Sequence, residues 1–340
     1  MDNLTHSLVG LTASKTGLER LSPGATLLCV LAANSPDADV FVGVVGDRWD
    51  LLQHHRGITH SLVGTACLAL LVPLIFYGAD RLWARLRNHP PKTNLRGLLI
   101  ASCIVTATHP LLDWTNNYGI RFLLPWNPHW FYGDLVFIVD PFLWLVLIVG
   151  LLIIWRTRKE RKPRIAFVSF AIVIAYWSGL AFAHSVAAAR SREAAQRMVA
   201  PKGETILRLA AMPTLANPLR WDCVFETDKA TYRFSLELQT EAPATPAARY
   251  EKPTGALAAA LQEVSAQKPA RVFLGFARFP VAQFADQSCT TETLLQLADL
   301  RYTQPGRSRG TFALDLPVDC PDQVSQRADE RNKRVGQRVR

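Results

Sequence analysis

No Cys-x-x-Cys pair occurs in the 340 residues, and the six cysteines are widely spaced. That absence excludes a closed zinc knuckle built on thiolates. Histidine is missing after His184, so the C-terminal part offers no imidazole to a metal. Long apolar runs are missing after about residue 185, which makes that part read as soluble. The N-terminus, MDNLTHS, lacks the basic segment of a signal peptide. Membrane targeting is therefore expected from internal segments.

Apolar runs are present at 24–45, 61–79, 97–112, 135–155 and 165–183. A bilayer core of about 30 Å needs roughly 20 apolar residues in a helix. Runs 61–79, 135–155 and 165–183 meet that length, while 97–112 is shorter and carries His109 near its end, with Asp113 just beyond. A soluble protein with buried core helices fits runs of this length poorly. The formal net charge is +10 and its placement suggests a topology. Loop 80–96 carries Arg81, Arg85, Arg87, Lys92 and Arg96, loop 156–164 reads RTRKERKPR, and segment 114–134 holds only Arg121 as a basic residue other than His129. The positive-inside rule places both basic loops in the cytoplasm and the C-terminal region outside. Charge flanking the spans explains the basic balance, so no nucleic-acid partner is expected. The fold class is mainly α: a polytopic transmembrane helical bundle over residues 1–184, then a soluble extracytoplasmic α+β domain over 185–328. A basic tail, 329–340, is expected to be disordered.

The first 45 residues read as a helical hairpin. LTHSLVGLTAS is too short to span, Ser22-Pro23-Gly24 breaks the helix, and Pro36 ends the second helix just before Asp37 and Asp39. The hexapeptide THSLVG occurs twice, at 5–10 and 59–64. Thr5 and Thr59 are expected to cap two entering helices, placing His6 and His60 at one depth. Gly10 and Gly64 then allow close packing. A generic membrane-entry sequence would also explain the repeat.

Seven of the eight histidines precede residue 130. His109 and Asp113 are four apart, on one helix face, a spacing that suits two ligands of one ion. Asp37 and Asp39 add carboxylates, and His54, His55, His60 and His6 add imidazoles. The metal-ligand candidates are thus His6, Asp37, Asp39, His55, His60, His109 and Asp113, with His54, Asp134 and Asp140 as secondary ones. Imidazole with carboxylate suits zinc, manganese or iron. Zinc is the expected ion, and the ligand excess suits one to three ions. Multi-metal centres with oxygen ligands serve phosphoester hydrolysis. Asp37 or Asp39 would orient the attacking water or accept its proton. Arg56 would grip phosphate, unless it snorkels to headgroups. Asn34, Asn116 and Asn117 orient ligands or cap helix ends. His129, in an aromatic belt, and His184 read as interfacial.

DNLTHSLVG at 2–10, NSPDAD at 34–39, HHRGITHS at 54–61, HPLLDWTNNYG at 109–119 and IVDP at 138–141 together resemble the YdjM-like family of bacterial inner-membrane proteins. The likeness covers residues 1–185 and adds NPLRWDCVFET at 217–227. It implies metal-dependent hydrolysis at the membrane. The spacing is also similar to that of zinc-dependent phospholipase C. By that analogy His6, Asp37 or Asp39, His60, His109 and Asp113 are ligands, and the lack of a later His-x-x-x-Glu helix argues against a third ion.

Beyond residue 185 the sequence changes character. WDCVFETD, TYRFSLELQ, ARVFLGFARF and RGTFALDLP read as strands, and GALAAALQEVSAQ and ETLLQLADL as helices. Residues 241–255, rich in Pro and Ala, read as a loop. Cys29, Cys67 and Cys103 read as small buried hydrophobes. Of the other three, Cys289 and Cys320 are the expected disulfide pair. The leading reading is a hydrolase of phosphodiesters or phosphomonoesters, lipid headgroups among them, at the outer face of the bilayer. The alternatives are a cation- or proton-coupled transporter, favoured if ligands spread through the bilayer depth, and a non-catalytic anchor for the outer domain.

Overall fold

The computed structural model describes residues 1–240, 245–304, 306 and 310–324; the tail expected at 329–340 lies outside them. The chain divides into two units, Met1–Ser185 with Pro213–Pro218, and Val186–Met212 with Leu219–Arg340.

The first unit is helical: α1 (Asn3–Lys15), α2 (Ala25–Asn34), α3 (Val42–Val45), α4 (Arg48–His54), α5 (Leu62–Leu86), α6 (Leu95–Trp114), α7 (Pro141–Arg156) and α8 (Lys162–Val199), which runs on into the second unit. Among the described residues, four stretches are long and apolar enough to cross a membrane: Ala25–Val45, Leu62–Leu86, Leu95–Trp114 and Lys162–Lys202. Their outer faces carry bare apolar side chains, such as Leu71 and Ile75 on α5 and Ile174 and Phe182 on α8. Such faces suit lipid, not water. Within the unit, α6 packs Leu98, Ala101 and Val105 on Leu28, Cys29 and Ala33 of α2. Leu112 joins Leu8 and Val9 of α1, Leu143 and Leu147 of α7, and Val173 and Leu180 of α8.

Several expectations change here. Thr5 does not cap α1; Asp2 does, accepting from the Thr5 N–H at 3.0 Å and the Thr5 hydroxyl at 2.7 Å. Thr59 lies in a short 3-10 turn, Ile58–His60, and Ser61 caps α5. Asp2 and Ser61 hold the extended backbone a cap requires, and Asp and Ser outrank Thr there. Pro36 ends the α-type ladder of α2 but not its helical course. It sits in the first turn of a 3-10 segment, Ser35–Phe41, where the missing N–H is harmless, and the stretch continues to Val45. The run 135–155 yields a helix of only 16 residues, because Asp140 caps α7 through Phe142 N and Leu143 N. Leu135 and Val136 instead bond the Thr115 carbonyl. Cys67 and Cys103 are exposed on the helix surface rather than buried.

Two hydrogen bonds fix which ends gather. The Arg20 guanidinium donates to the Lys159 carbonyl at 3.1 Å, and Asn94 N–H donates to the Ser22 hydroxyl at 2.9 Å. The turn after α1, the start of α6 and the loop after α7 therefore share the basic end. Asp37, His60 and Asp113 come together at the opposite end.

The second unit is α+β. Strands β1 (Ile206–Thr214), β2 (Asn217–Thr227), β3 (Ala230–Glu237) and β4 (Ala248–Glu251) form one sheet in that order. Helices α9 (Gly255–Ser265) and α10 (Lys268–Phe276) follow, then β5 (Pro280–Phe284), β6 (Glu292–Asp299) and β7 (Ala313–Asp319) as a second sheet. Two expected elements exchange type. Residues 270–276 belong to α10, whose first turn holds Pro269 and which buries Ala270, Phe273 and Phe276 at helical spacing. Residues 292–299 form β6, the central strand, burying Thr293, Leu295 and Leu297 in alternation. The loop expected at 241–255 contains β4, which pairs with β3.

Glu204 ties β2, β3 and β4 together. It accepts from the Thr227 hydroxyl at 2.7 Å, the Tyr232 hydroxyl at 3.1 Å and the Arg249 guanidinium at 3.0 Å. Burial opposes its charge, but those bonds outweigh burial and hold the carboxyl below its ordinary value. Cys289 and Cys320 form a disulfide. Cys223 is a buried thiol, pushed by burial up to about 12.

Candidate metal centre

Four pieces of backbone build the site. The 3-10 segment after α2 supplies Asp37 and Asp39. The turn after α4 supplies His55, Arg56, Thr59 and His60. The last turns of α6 supply His109 and Asp113, one helical turn apart, and α1 supplies His6. Each is held close by its neighbours. A Cβ at Gly64 would overlap the Ile58 carbonyl, so only glycine lets α5 start beneath the His60 turn. A Cβ at Gly10 would approach the Cys29 carbonyl to 2.7 Å, so glycine lets α1 lie against α2.

Asp37, His60, His109 and Asp113 are all buried and offer ligand atoms within 4.8 Å of one another. His60 Nε2 lies 3.1 Å from His109 Nε2, 3.3 Å from Asp37 Oδ1 and 3.4 Å from Asp113 Oδ2. His109 Nε2 lies 3.6 Å from Asp37 Oδ1 and 3.5 Å from Asp113 Oδ2. A tetrahedral ion with bonds of 2.0–2.1 Å sets its ligand atoms about 3.3–3.4 Å apart. The five separations cluster around that edge length.

The protons point the same way. His109 Nδ1 sits 2.6 Å from the Ala33 carbonyl, which only accepts, so the ring proton belongs on Nδ1. His60 Nδ1 sits 3.1 Å from Asp39 Oδ2 and 3.0 Å from the Thr59 hydroxyl, which itself donates to Asp39. That places the His60 proton on Nδ1 as well. Both Nε2 atoms then present lone pairs to each other and to two carboxylates. Asp37 Oδ2 is buried with no hydrogen-bond donor among the described residues. Four acceptors facing one point without a proton are costly in a buried place, and a cation relieves that cost. The donor set of two imidazoles and two carboxylates therefore fits a divalent ion, with Ala33, Thr59 and Asp39 fixing the rings from behind.

Asp37, Asp39 and His55 form a second group, and Asp37 belongs to both. Asp39 Oδ1 lies 3.0 Å from His55 Nδ1, while Oδ2 also accepts the Arg56 N–H at 3.1 Å. His55 is partly exposed, so this group faces the open side.

His6 is stacked on His109, ring centroids 3.7 Å apart, with its Nε2 3.4 Å from Asp113 Oδ1. It therefore stands behind Asp113, outside both groups. Arg56 is buried. Its guanidinium lies 3.1 Å from Asp113 Oδ1, donates to Asn116 Oδ1 at 2.9 Å and covers the Tyr118 ring. It steadies Asp113, a role other than the expected grip on phosphate. His54 is exposed and bonds the Asp50 carbonyl, away from the cluster. Asp140 is spent on capping α7 and on the Tyr176 hydroxyl at 3.1 Å, so it supplies no ligand. Asp134 is buried at a positive φ of 51° and joins neither group. Thr59 and Tyr118 are additions that the sequence reading misses. Thr59 stands beside His60 in the repeated hexapeptide, but Tyr118 carries no signal beyond the Asn-Asn-Tyr-Gly turn.

A family profile described as YdjM inner membrane protein matches residues 1–186, more than half of the chain. The chain belongs to the YdjM inner membrane protein family. The matched residues contain every member of both groups. Among curated proteins it is similar to YfhP of Bacillus subtilis (strain 168), 23% identical over 184 residues, which is 51% of each chain. It is also similar to the inner membrane protein YbcI of Escherichia coli (strain K12), 31% identical over 136 residues, 38% of this chain and 70% of YbcI. The chain thus spans about half the length of YfhP. No solved structure matches it.

Proposed function

We propose that this YdjM-family chain is a membrane-embedded, metal-dependent phosphoester hydrolase, with its centre toward the outer face of the cytoplasmic membrane. The observation that carries the reading is Asp37, shared between two adjacent ligand groups, one buried and one toward the open side. That arrangement suits two divalent ions side by side, zinc being the first candidate. When bound, such a pair supplies Lewis acidity, lowering the pKa of water and neutralising charge on a phosphoryl oxygen.

The chain's own residues do the rest. Ala33 and Asp39 keep His109 and His60 in the tautomer that leaves Nε2 free. Arg56 holds Asp113 against the cluster. Asp39 and His55, at the exposed edge, would hold the second ion together with Asp37.

Gathering of the ligands at one end of the helices supports hydrolysis over transport, for which sites through the bilayer depth are expected. The basic loops favour a cytoplasmic location for the opposite end. The Cys289–Cys320 disulfide suits an oxidising compartment for the C-terminal unit. The test is elemental analysis of the full chain purified in detergent, with hydrolysis of bis-p-nitrophenyl phosphate as the activity probe. Wild type is expected to hold metal and cleave the ester, and His60→Ala and Asp113→Ala to lose both. A metal-free wild type, or metal without any phosphoesterase activity, would overturn the reading.

A further inference from the structure

A groove between α5 and α6 takes no part in the centre described above. Its volume is about 480 Å³, inside the range of about 300–1,000 Å³ typical of small-molecule sites. Its wall on α5 runs from Leu62 to Leu70, its wall on α6 from Cys103 to Leu111, and Phe122 lies at the end nearest the ligands. Apart from the Thr65 hydroxyl, the lining side chains end in carbon or sulfur.

Two features say what belongs there. The first is direction. Leu62 follows His60 by two residues, and Pro110 follows His109 directly, so one end of the groove meets the centre. Thr65 reinforces that junction, its hydroxyl reaching the Thr59 carbonyl at 3.5 Å. From there each wall runs eight residues along its helix, about 12 Å at 1.5 Å per residue. It descends into the segment that lies in hydrocarbon, beside the exposed Leu71 and Leu74. An apolar trench in that setting is filled by an alkyl chain, not by water.

The second feature is a cation beside the ligand-bearing turns, next in sequence to Phe122 of the groove. Arg121 adjoins Phe122, whose carbonyl accepts from Leu62 N–H at 3.0 Å. The Arg121 guanidinium donates to the Gln53 carbonyl at 2.6 Å and stacks on Trp130, and among the described residues its Nε has no hydrogen-bond partner. A guanidinium held this way can meet a phosphate beside the metal ligands. An anionic head above an alkyl trench describes an amphiphile.

We propose that this groove seats one hydrocarbon chain of a membrane lipid phosphoester, presenting its phosphate to the metal centre. The chemistry rests on the hydrolase reading; the seating does not. Hydrolysis of such an ester is balanced by water alone. A water oxygen bonds to phosphorus, the bond from phosphorus to the leaving alcohol breaks, and the alcohol takes the proton.

The experiment uses the full chain in proteoliposomes with phosphatidylglycerol bearing a diazirine in one acyl chain, the crosslinks mapped by peptide mass spectrometry. Labelling at Ala66, Cys103 and Ala107 is expected to exceed that at the lipid-facing Leu145 and Ile153 of α7 at least tenfold. Excess unlabelled phosphatidylglycerol is expected to remove it, and excess diacylglycerol, which lacks the phosphate, is not. Ala66 and Ala107 are exposed in the groove, so Ala66→Phe and Ala107→Phe fill it without crowding the core. Each is expected to abolish the excess labelling and to cut hydrolysis of phosphatidylglycerol about tenfold. Metal content and hydrolysis of bis-p-nitrophenyl phosphate are expected to stay unchanged. Labelling spread evenly over α5 and α7, or groove labelling unaffected by either substitution, refutes the seating whatever the hydrolysis shows. Groove labelling without hydrolysis of any phosphoester supports the seating and refutes the hydrolase reading instead.

Discussion

Asp37→Asn weakens both ligand groups at once, which no substitution of a neighbouring carboxylate does, because among the described residues only Asp37 belongs to both. The amide keeps the shape and removes the charge. The inner group falls to His60, His109 and Asp113, and the outer to Asp39 and His55. Removing a residue that merely orients a ligand costs about 10–100-fold in metal affinity. Losing a ligand outright should exceed that, so about 1.4–2.8 kcal/mol is a floor at each site, at 1.4 kcal/mol per tenfold. Asp39→Asn and His55→Ala touch only the outer group and should retain the inner ion. Thermal unfolding adds a second reading. A ligand at 1,000 times its Kd stabilises by about 4.1 kcal/mol, so chelator should lower the wild-type transition strongly and the Asp37→Asn transition little. With metal removed, the order should reverse. Asp37 Oδ2 is then a buried acceptor without a donor, and the amide relieves repulsion from Asp39 and Asp113. Elemental analysis and calorimetry on the detergent-purified chain read both effects. Full metal retention in Asp37→Asn, or a variant less stable than wild type under chelation, refutes the shared-ligand geometry.

Three further outcomes follow from other parts of the molecule. Gly64→Ala drives a methyl into the Ile58 carbonyl and should displace the His60 turn, lowering metal content while α1 and α2 stay folded by hydrogen exchange. Glu204→Gln should weaken protection of the β2–β3 amides by about 1–3 kcal/mol at pH 7, since three donors lose a charged acceptor. The folded Glu204 carboxyl lies below its ordinary value, so its stabilisation is complete above the unfolded value near 4.3. It fades as pH falls through the folded value, and the two proteins should converge in acid, whereas a constant gap down to pH 2 would falsify that role. Thiol titration of the unfolded, unreduced chain should find Cys29, Cys67, Cys103 and Cys223 reactive and Cys289 and Cys320 not. Reduction should destabilise the β5–β7 sheet by about 3–4 kcal/mol for a loop of this length.

Much of the site is legible in the amino-acid sequence, because its rules are local. His109 and Asp113 share a face by helical spacing alone, and the repeated Thr-His pairs do bring His6 and His60 to one region. Cap assignment is less secure, since Asp2 and Ser61 stand within a few residues of Thr5 and Thr59 and cap better. Asp140 reads as a carboxylate stranded in a span because its apolar run starts before the helix; a Pro at the next position marks it as a cap. The shared role of Asp37 depends on how a 3-10 segment meets two other turns, which no single stretch encodes. In the second unit, leucine-rich 292–299 is a strand and aromatic-rich 270–276 a helix. Pairing between two neighbours and a proline start overrode residue preference in each case.

The most direct test of the metal centre is X-ray absorption at the zinc edge of the full chain reconstituted with less than one equivalent of zinc, in an Asp39→Asn/His55→Ala background so that only the buried group can fill. Two imidazoles with carboxylate oxygens at about 2.0–2.1 Å, and no sulfur at about 2.3 Å, are required if Asp37, His60, His109 and Asp113 hold the ion. A sulfur shell, a single imidazole, or a spectrum unchanged by His60→Ala would contradict it.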